Sequence, residues 1–136
     1  MAIDWNAPAI VSRVRAGALR GVGIGIGIVE NRAVYLVTQT AKTGRVYRRR
    51  GVTHKSSAPG EPFANDTGTT LARRDITIDG QAIRATLHFR SENAARLEHG
   101  TRNMAPRPFA RRALAETTDQ VRDAVFGEIV LELGKR

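Results

Sequence analysis

The sequence predicts an α+β fold: a long N-terminal helix and a C-terminal helix packed on a small antiparallel sheet, with a long basic loop. Three observations predict it. Apolar residues recur near helical spacing from Ala7 to Thr40. Strict alternation on either side of Asp79-Gly80 marks a hairpin. A second amphipathic stripe runs from Phe109 to about Leu133. The 136 residues suit one domain, 1–136, with 41–67 as an extended loop.

In the first helix, Pro8 suits a first-turn position, with Asn6 or Asp4 as cap. Ile10, Val14, Leu19, Ile24, Ile28, Val34 and Leu36 fall roughly on helical spacing. Gly21, Gly23, Gly25 and Gly27 alternate with Val22, Ile24 and Ile26, which is also a strand pattern, and each glycine costs a helix about 1 kcal/mol. The helical flanks and the lack of a turn signal favour helix. The glycines then leave a smooth strip for another backbone, more simply within the protomer than between subunits.

Residues 41–67 are rich in Gly, Pro, Ser, Thr and Asn, and a structureless stretch of this length is usually functional or disordered. Val46, Tyr47 and Val52 could pair as a short extended piece within it. In the hairpin, Ile76 and Ile78 precede Asp79-Gly80, read as a two-residue turn; Ile83, Ala85, Leu87 and Phe89 then share one strand face, with Arg84, Thr86, His88 and Arg90 on the other. The apolar face most simply covers the N-terminal helix. Ser91 can cap a short helix, Glu92 to Glu98, stopped by Gly100 at positive φ. Pro108 starts the last helix, with Phe109 tucked into the core. Gly127 weakens that helix, and Ile129-Val130-Leu131 has strand character, yet the stripe carries the helix on.

Composition narrows function. With 41% hydrophobic and 26% charged residues the chain is globular rather than disordered. The 22 Lys+Arg against 13 Asp+Glu give a net charge of +9, which favours polyanions or acidic protein surfaces as partners. The absence of cysteine excludes disulfides, thiolate zinc sites, iron–sulfur clusters and cysteine nucleophiles. The N-terminal MAIDWNAP lacks the basic start and apolar core of a signal peptide, and the apolar run from Gly21 to Val29 is too short to span a bilayer. The expectation is a soluble protein made in the cytoplasm.

Catalytic patterns do not assemble. The strictly alternate glycines put the third glycine of a dinucleotide fingerprint out of register, and no phosphate-loop motif occurs. His54, His88 and His99 lie far apart in sequence, without metal-ligand spacing. His54 reads as solvated, His88 as surface on the polar strand face, and Glu98-His99 as a polar pair near a helix end. The expectation is a non-enzymatic protein without metal or cofactor. The strongest chemical feature is Lys42, Arg45, Arg48, Arg49, Arg50 and Lys55, six cations before the first acid of the loop, Glu61. They suit contact with phosphates or an acidic protein surface. Tyr47 is the only aromatic among them, so a base-stacking platform is poorly supported.

Three stretches resemble one known family. Thr43-Gly44-Arg45-Val46-Tyr47 followed by Ser57-Ala58-Pro59-Gly60-Glu61 is similar to a loop of the neck, or tail-completion, proteins of long-tailed bacteriophages. Asp66-Thr67-Gly68 with Leu71 resembles the D-T-G-x-L segment ahead of that family's hairpin. Leu97-Glu98-His99-Gly100-Thr101, then Arg107-Pro108-Phe109 and Ala113-Leu114, resembles its E-x-G-T, R-P-F and A-L signature. The match runs in order from about Thr43 to Leu114.

The resemblance implies a structural virion protein at the head–tail junction. It implies a ring-shaped homo-oligomer, a hexamer, that completes the tail end or joins tail to head and lets DNA pass. Its neighbours would be connector, tail-terminator or tail-tube proteins, with non-specific contact to genomic DNA in the channel. Asp66, Thr67, Gly68, Leu71, Leu97, Glu98, Gly100, Thr101, Pro108 and Phe109 would be structural motif residues. The alternative is a small basic protein that binds nucleic acid without sequence preference.

Overall fold

A computed structural model describes residues 6–135. The elements in order are α1 (Ala7–Thr38), β1 (Val46–Arg49), β2 (Val52–Lys55), α2 (Thr69–Ala72), β3 (Arg74–Asp79), β4 (Arg84–Phe89), α3 (Glu92–His99) and α4 (Ala110–Leu133). The class is α+β, as the sequence predicts. The sheet is not one unit: β1 pairs only with β2 and β3 only with β4, each pair antiparallel.

The long helix forms where expected. Asn6 caps it, its side-chain oxygen accepting from the Ala9 N–H at 3.2 Å, with Pro8 in the first turn. The other candidate cap, Asp4, lies outside the described residues. The helix ends at Thr38 rather than Thr40, because the next side chains satisfy its last carbonyls. The Thr40 hydroxyl and the Lys42 ammonium both donate to the Leu36 carbonyl, the ammonium at 2.9 Å.

α1 and α4 lie antiparallel and make the most extensive contact in the molecule. Their backbones nearly touch at glycines. A Cβ built on Gly17 would lie 2.6 Å from the Ile129 Cα, one on Gly21 would collide with the Val125 Cα, and one on Gly25 would sit 2.8 Å from the Val121 Cγ1. Each four-residue step along α1 is matched by a four-residue step back along α4. The same steps lead to Val29 and Ala33 on α1 and to Thr117 and Ala113 on α4, all buried. This is packing of the i±4 rows of two helices, made close by missing side chains. The strip therefore lies within the protomer, as expected, but its members are Gly17, Gly21 and Gly25. Gly27 meets nothing within 4 Å, and a Cβ on Gly23 would make only ordinary contact with Ile78. Ion pairs flank the seam: Arg20 with Glu128 and Glu132, and Arg32 with Glu116.

The core sits where α1 and α4 meet the loops. Phe109 is 1% exposed, as predicted, and makes edge contacts with Phe63 (4.9 Å, 81°) and Phe89 (4.8 Å, 79°). Pro108 does not start α4; Phe109 occupies the cap position and the helix begins at Ala110. β4 lies against α1, so the second hairpin covers the long helix as expected.

Two local expectations fail for identifiable reasons. The Asp79-Gly80 turn has four residues rather than two, since Asp79 pairs with Arg84. The Asp79 carboxylate accepts from the N–H groups of Gln81 and Ala82 at 2.9 and 3.1 Å, and the chain turns around that side chain. Ile83 is consequently in the turn at φ 49°, not on the strand face with Ala85 and Leu87. Ser91 occupies the α3 cap position without making a side-chain cap bond; its hydroxyl lies 3.3 Å from that of Thr70.

The glycine seam yields a paired prediction. Gly21→Ala should lose stability by about 1–3 kcal/mol, since overpacking exceeds the helix-propensity gain. Gly27→Ala, facing open space, should gain up to about 1 kcal/mol. Denaturant unfolding of the two variants checks the opposite signs.

Candidate functional site: a cationic hairpin on a carboxylate latch

Residues 41–67 are not structureless. Val46, Tyr47 and Val52 do pair, within a hairpin whose register is Val46 with Lys55, Tyr47 with His54, Arg48 with Thr53 and Arg49 with Val52. Its two-residue loop is Arg50-Gly51, at φ 51° and 81°, the left-handed pair that suits the twist of a tight hairpin. The ladder continues at the base, where Gly44 N–H donates to Ser56 O and Ser56 N–H to Arg45 O, both at 2.9 Å.

Below the base, Glu61 clamps both arms. Its carboxylate accepts from the Thr43 N–H at 3.0 Å, the Thr43 hydroxyl at 2.5 Å and the Ala58 N–H at 2.8 Å. Those donors, the Thr43 hydroxyl foremost, hold the Glu61 pKa down at about 2. Further out, Asp66 holds one face. Arg49 donates to its carboxylate at 2.7 Å and the His54 Nδ1 lies 3.2 Å away. The bond from Arg49 is the main reason the Asp66 carboxyl sits below its ordinary value. His54 stacks on Tyr47, with ring centroids 5.5 Å apart. It is an anchoring residue rather than the solvated one the sequence suggested.

The structure divides the six predicted cations by task. Lys42 closes the end of α1, bonded to Leu36 O and, at 2.8 Å, to the Thr40 hydroxyl. Burial depresses its pKa. It is a helix-end anchor rather than a partner-facing residue. Arg49 is the latch to Asp66. Arg45, Arg48, Arg50 and Lys55 are exposed and form no ion pair among the described residues. Alternation puts Val46, Arg48, Thr53 and Lys55 on the face opposite the latch.

The motif residues gather around the same region. Asp66 is the latch; the Thr67 hydroxyl lies 3.0 Å from that of Thr69; Gly68 caps α2 at φ 73°; Leu71 is in the core. Leu97 packs against that core. Thr101 exchanges backbone bonds with Met104 at 2.8 and 3.2 Å. Gly100 ends α3 at φ 77°, where a Cβ would meet the Met104 carbonyl at 2.6 Å. Asp66, Thr67, Leu97 and Thr101 line one groove of about 540 Å³ together with Arg49 and Arg96.

Glu98 does more than its reading as a polar pair with His99 near a helix end. It is 7% exposed and points inward. Its carboxylate accepts from the N–H groups of Phe109, Ala110 and Arg111 at 2.9, 3.1 and 2.9 Å, capping the α4 N-terminus from α3. The sequence offers no local signal for this, because donors and acceptor meet only in the tertiary structure. Arg107 donates to the buried Ser57 hydroxyl at 2.6 Å, another tie that sequence reasoning missed. Among the described residues no cluster of three His, Asp or Glu side chains has metal-site geometry, and no helix is long and apolar enough to cross a membrane.

Glu98→Ala should destabilise the fold by about 1–3 kcal/mol, since buried helix-end donors lose their acceptor; a chemical melt measures it. For Glu61 the folded pKa lies below the ordinary 4.5. Its clamp is intact above that value and is lost as pH falls towards about 2. The amide resonances of Thr43 and Ala58 should therefore titrate with a midpoint near 2, and a midpoint near 4.5 contradicts the clamp.

Comparison with protein-family models, with curated proteins and with solved structures gives no match to this chain.

Proposed function

We propose that this protein is a structural subunit of a phage neck: a ring-forming homo-oligomer at the head–tail junction that completes the tail end or joins it to the head and lets DNA pass. The observation that carries this reading is the projecting hairpin. Four outward cations stand on a ribbon that adds little to the core and is held in place by Asp66 and Glu61. A ribbon so maintained is suited to engaging another surface.

The motif resemblance supports the same reading, because its residues occupy the joints of this fold. Asp66 is the latch, Glu98 the α4 cap, Gly100 the tight helix stop and Phe109 the centre of the core. The role is non-enzymatic. The buried carboxylate, Glu98, is occupied by three backbone donors, and Asp66 by Arg49 and His54.

Disrupting the gene in the phage that encodes the chain should leave filled heads and separate tails, seen by negative-stain microscopy. Normal joined particles would refute the reading. The same lysates should be rescued by the wild-type chain but not by one carrying Arg48→Glu and Arg50→Glu, which spares the Arg49 latch. The rival nucleic-acid-binding role gives a different result. There the isolated subunit binds duplex DNA, and log affinity falls with log salt by about 0.9 per phosphate contacted.

A further inference from the structure

We infer that the outer face of α4 is the docking surface for the cationic hairpin of a second copy of this chain, joined head to tail. The inference rests on the reading of the protein as a self-assembling subunit and names the two surfaces that meet.

The α4 surface is chemically distinctive. Most carboxylates of the described residues are engaged within the chain: Glu30 with Arg74, Asp75 with Arg90, Glu116 with Arg32 and Arg112, and Glu128 and Glu132 with Arg20. Asp119 and Asp123 are different. Their side chains are 82% and 75% exposed, and they share one partner, Arg122, itself 57% exposed. Continuing from them, Phe126, Val130 and Leu133 follow at alternating steps of three and four, so all five residues fall on one helical seam. Phe126 is 60% and Val130 67% exposed. The seam faces away from Gly17, Gly21 and Gly25, and among the described residues nothing of this chain covers it.

The hairpin is its complement. On the face opposite the latch it sets exposed cations, Arg48 and Lys55, beside an exposed apolar side chain, Val46, which is 57% exposed, with Arg50 at the ribbon tip. Acid meets base and valine meets phenylalanine, which fixes both attraction and register. The lengths agree: a four-residue ribbon spans about 13 Å, and Asp119 to Val130 about 16 Å of helix. A chain cannot satisfy its own surfaces. Its hairpin follows the C-terminal end of α1, whereas Phe126 sits beside the Gly21–Val125 contact, about 25 Å back along the helix pair. The hairpin makes no packed interface with its own α4. Two different patches meeting between identical chains is a heterologous contact, which closes into a ring when the rotation permits.

A charge exchange tests it. The hairpin variant carries Arg48→Glu and Arg50→Glu; the helix variant carries Asp119→Lys and Asp123→Lys. Wild-type chain at millimolar concentration should associate in sedimentation velocity. Each variant alone should associate on the order of a hundredfold more weakly, because like charges face each other. An equal mixture of the two should regain association, since acidic hairpins then meet basic helices. Unchanged thermal melts confirm that both variants fold. The chain contains no cysteine, so Thr53→Cys combined with Phe126→Cys should give a ladder of disulfide-linked oligomers under oxidation. Three outcomes overturn the inference: a wild-type chain that stays monomeric, a mixture that stays dissociated, or Phe126→Cys alone cross-linking to a dimer, which would mean that α4 packs on α4. Purified chain suffices for all of these. Failure here leaves the neck reading to be decided by particle morphology, and a ladder stands even if particles form normally without the protein.

Discussion

Everything in this molecule is arranged around how closely two helices approach. At Gly17 and Gly21 the backbone of α1 lies against the backbone of α4, at Gly25 it lies against the Val121 side chain, and at Gly21 even a methyl group would strike the Val125 Cα. Such contact gives close packing but little apolar area per residue, so it cannot hold the helices unaided. The rest of the core therefore gathers at one end, where Val29, Ala33 and Leu36 meet Ala113 and the Phe63–Phe109–Phe89 cluster. At the other end, the pair is held by glycine contact and by Arg20 with Glu128 and Glu132. The molecule is densely built around its loops and slender towards the helix ends.

The loops are joined by carboxylates that accept several donors at once. Glu98 joins α3 to α4, Glu61 joins the two arms at the hairpin base, and Asp66 joins the hairpin to the segment ahead of α2. Glu98 and Glu61 satisfy N–H groups that the irregular backbone leaves without partners, and Asp66 holds side chains of the hairpin. In a chain with only 13 acids, this use leaves few carboxylates outside. The excess of arginine is thus sharpened into a local feature: cations concentrate on a ribbon, and two exposed aspartates that share Arg122 remain on α4.

The long elements were legible because their signals repeat over many residues: α1 and α4 follow from periodicity, and α4 ends at the expected Leu133. Short elements were legible only in part. The alternation of β3 and β4 was clear, yet the turn between them was decided by the Asp79 side chain, which outcompeted the Asp-Gly pair and drew Ile83 off the strand. The first hairpin was hidden because its strands have only four residues each and are solvated on much of both faces, so no hydrophobic alternation marks them. The glycine run pointed to the right helix and to two of the right members, Gly21 and Gly25; close packing selects every fourth residue, which leaves out Gly23 and Gly27 and brings in Gly17 from outside the run. The basic residues of the candidate site were plain in the sequence; their division into anchor, latch and outward cations was not. That division depends on Leu36, Thr40 and Asp66, which no spacing rule connects to them.

The Asp66 latch has a consequence of its own. Within the hairpin, backbone bonds set the shape, and these are insensitive to added electrolyte. The seat of the ribbon on the body rests on the Glu61 clamp and on a half-exposed guanidinium meeting a carboxylate, and the latter is a contact that mobile ions screen. Shape and bearing are thus governed by different forces. Added electrolyte weakens the latch and leaves the ladder of the ribbon untouched.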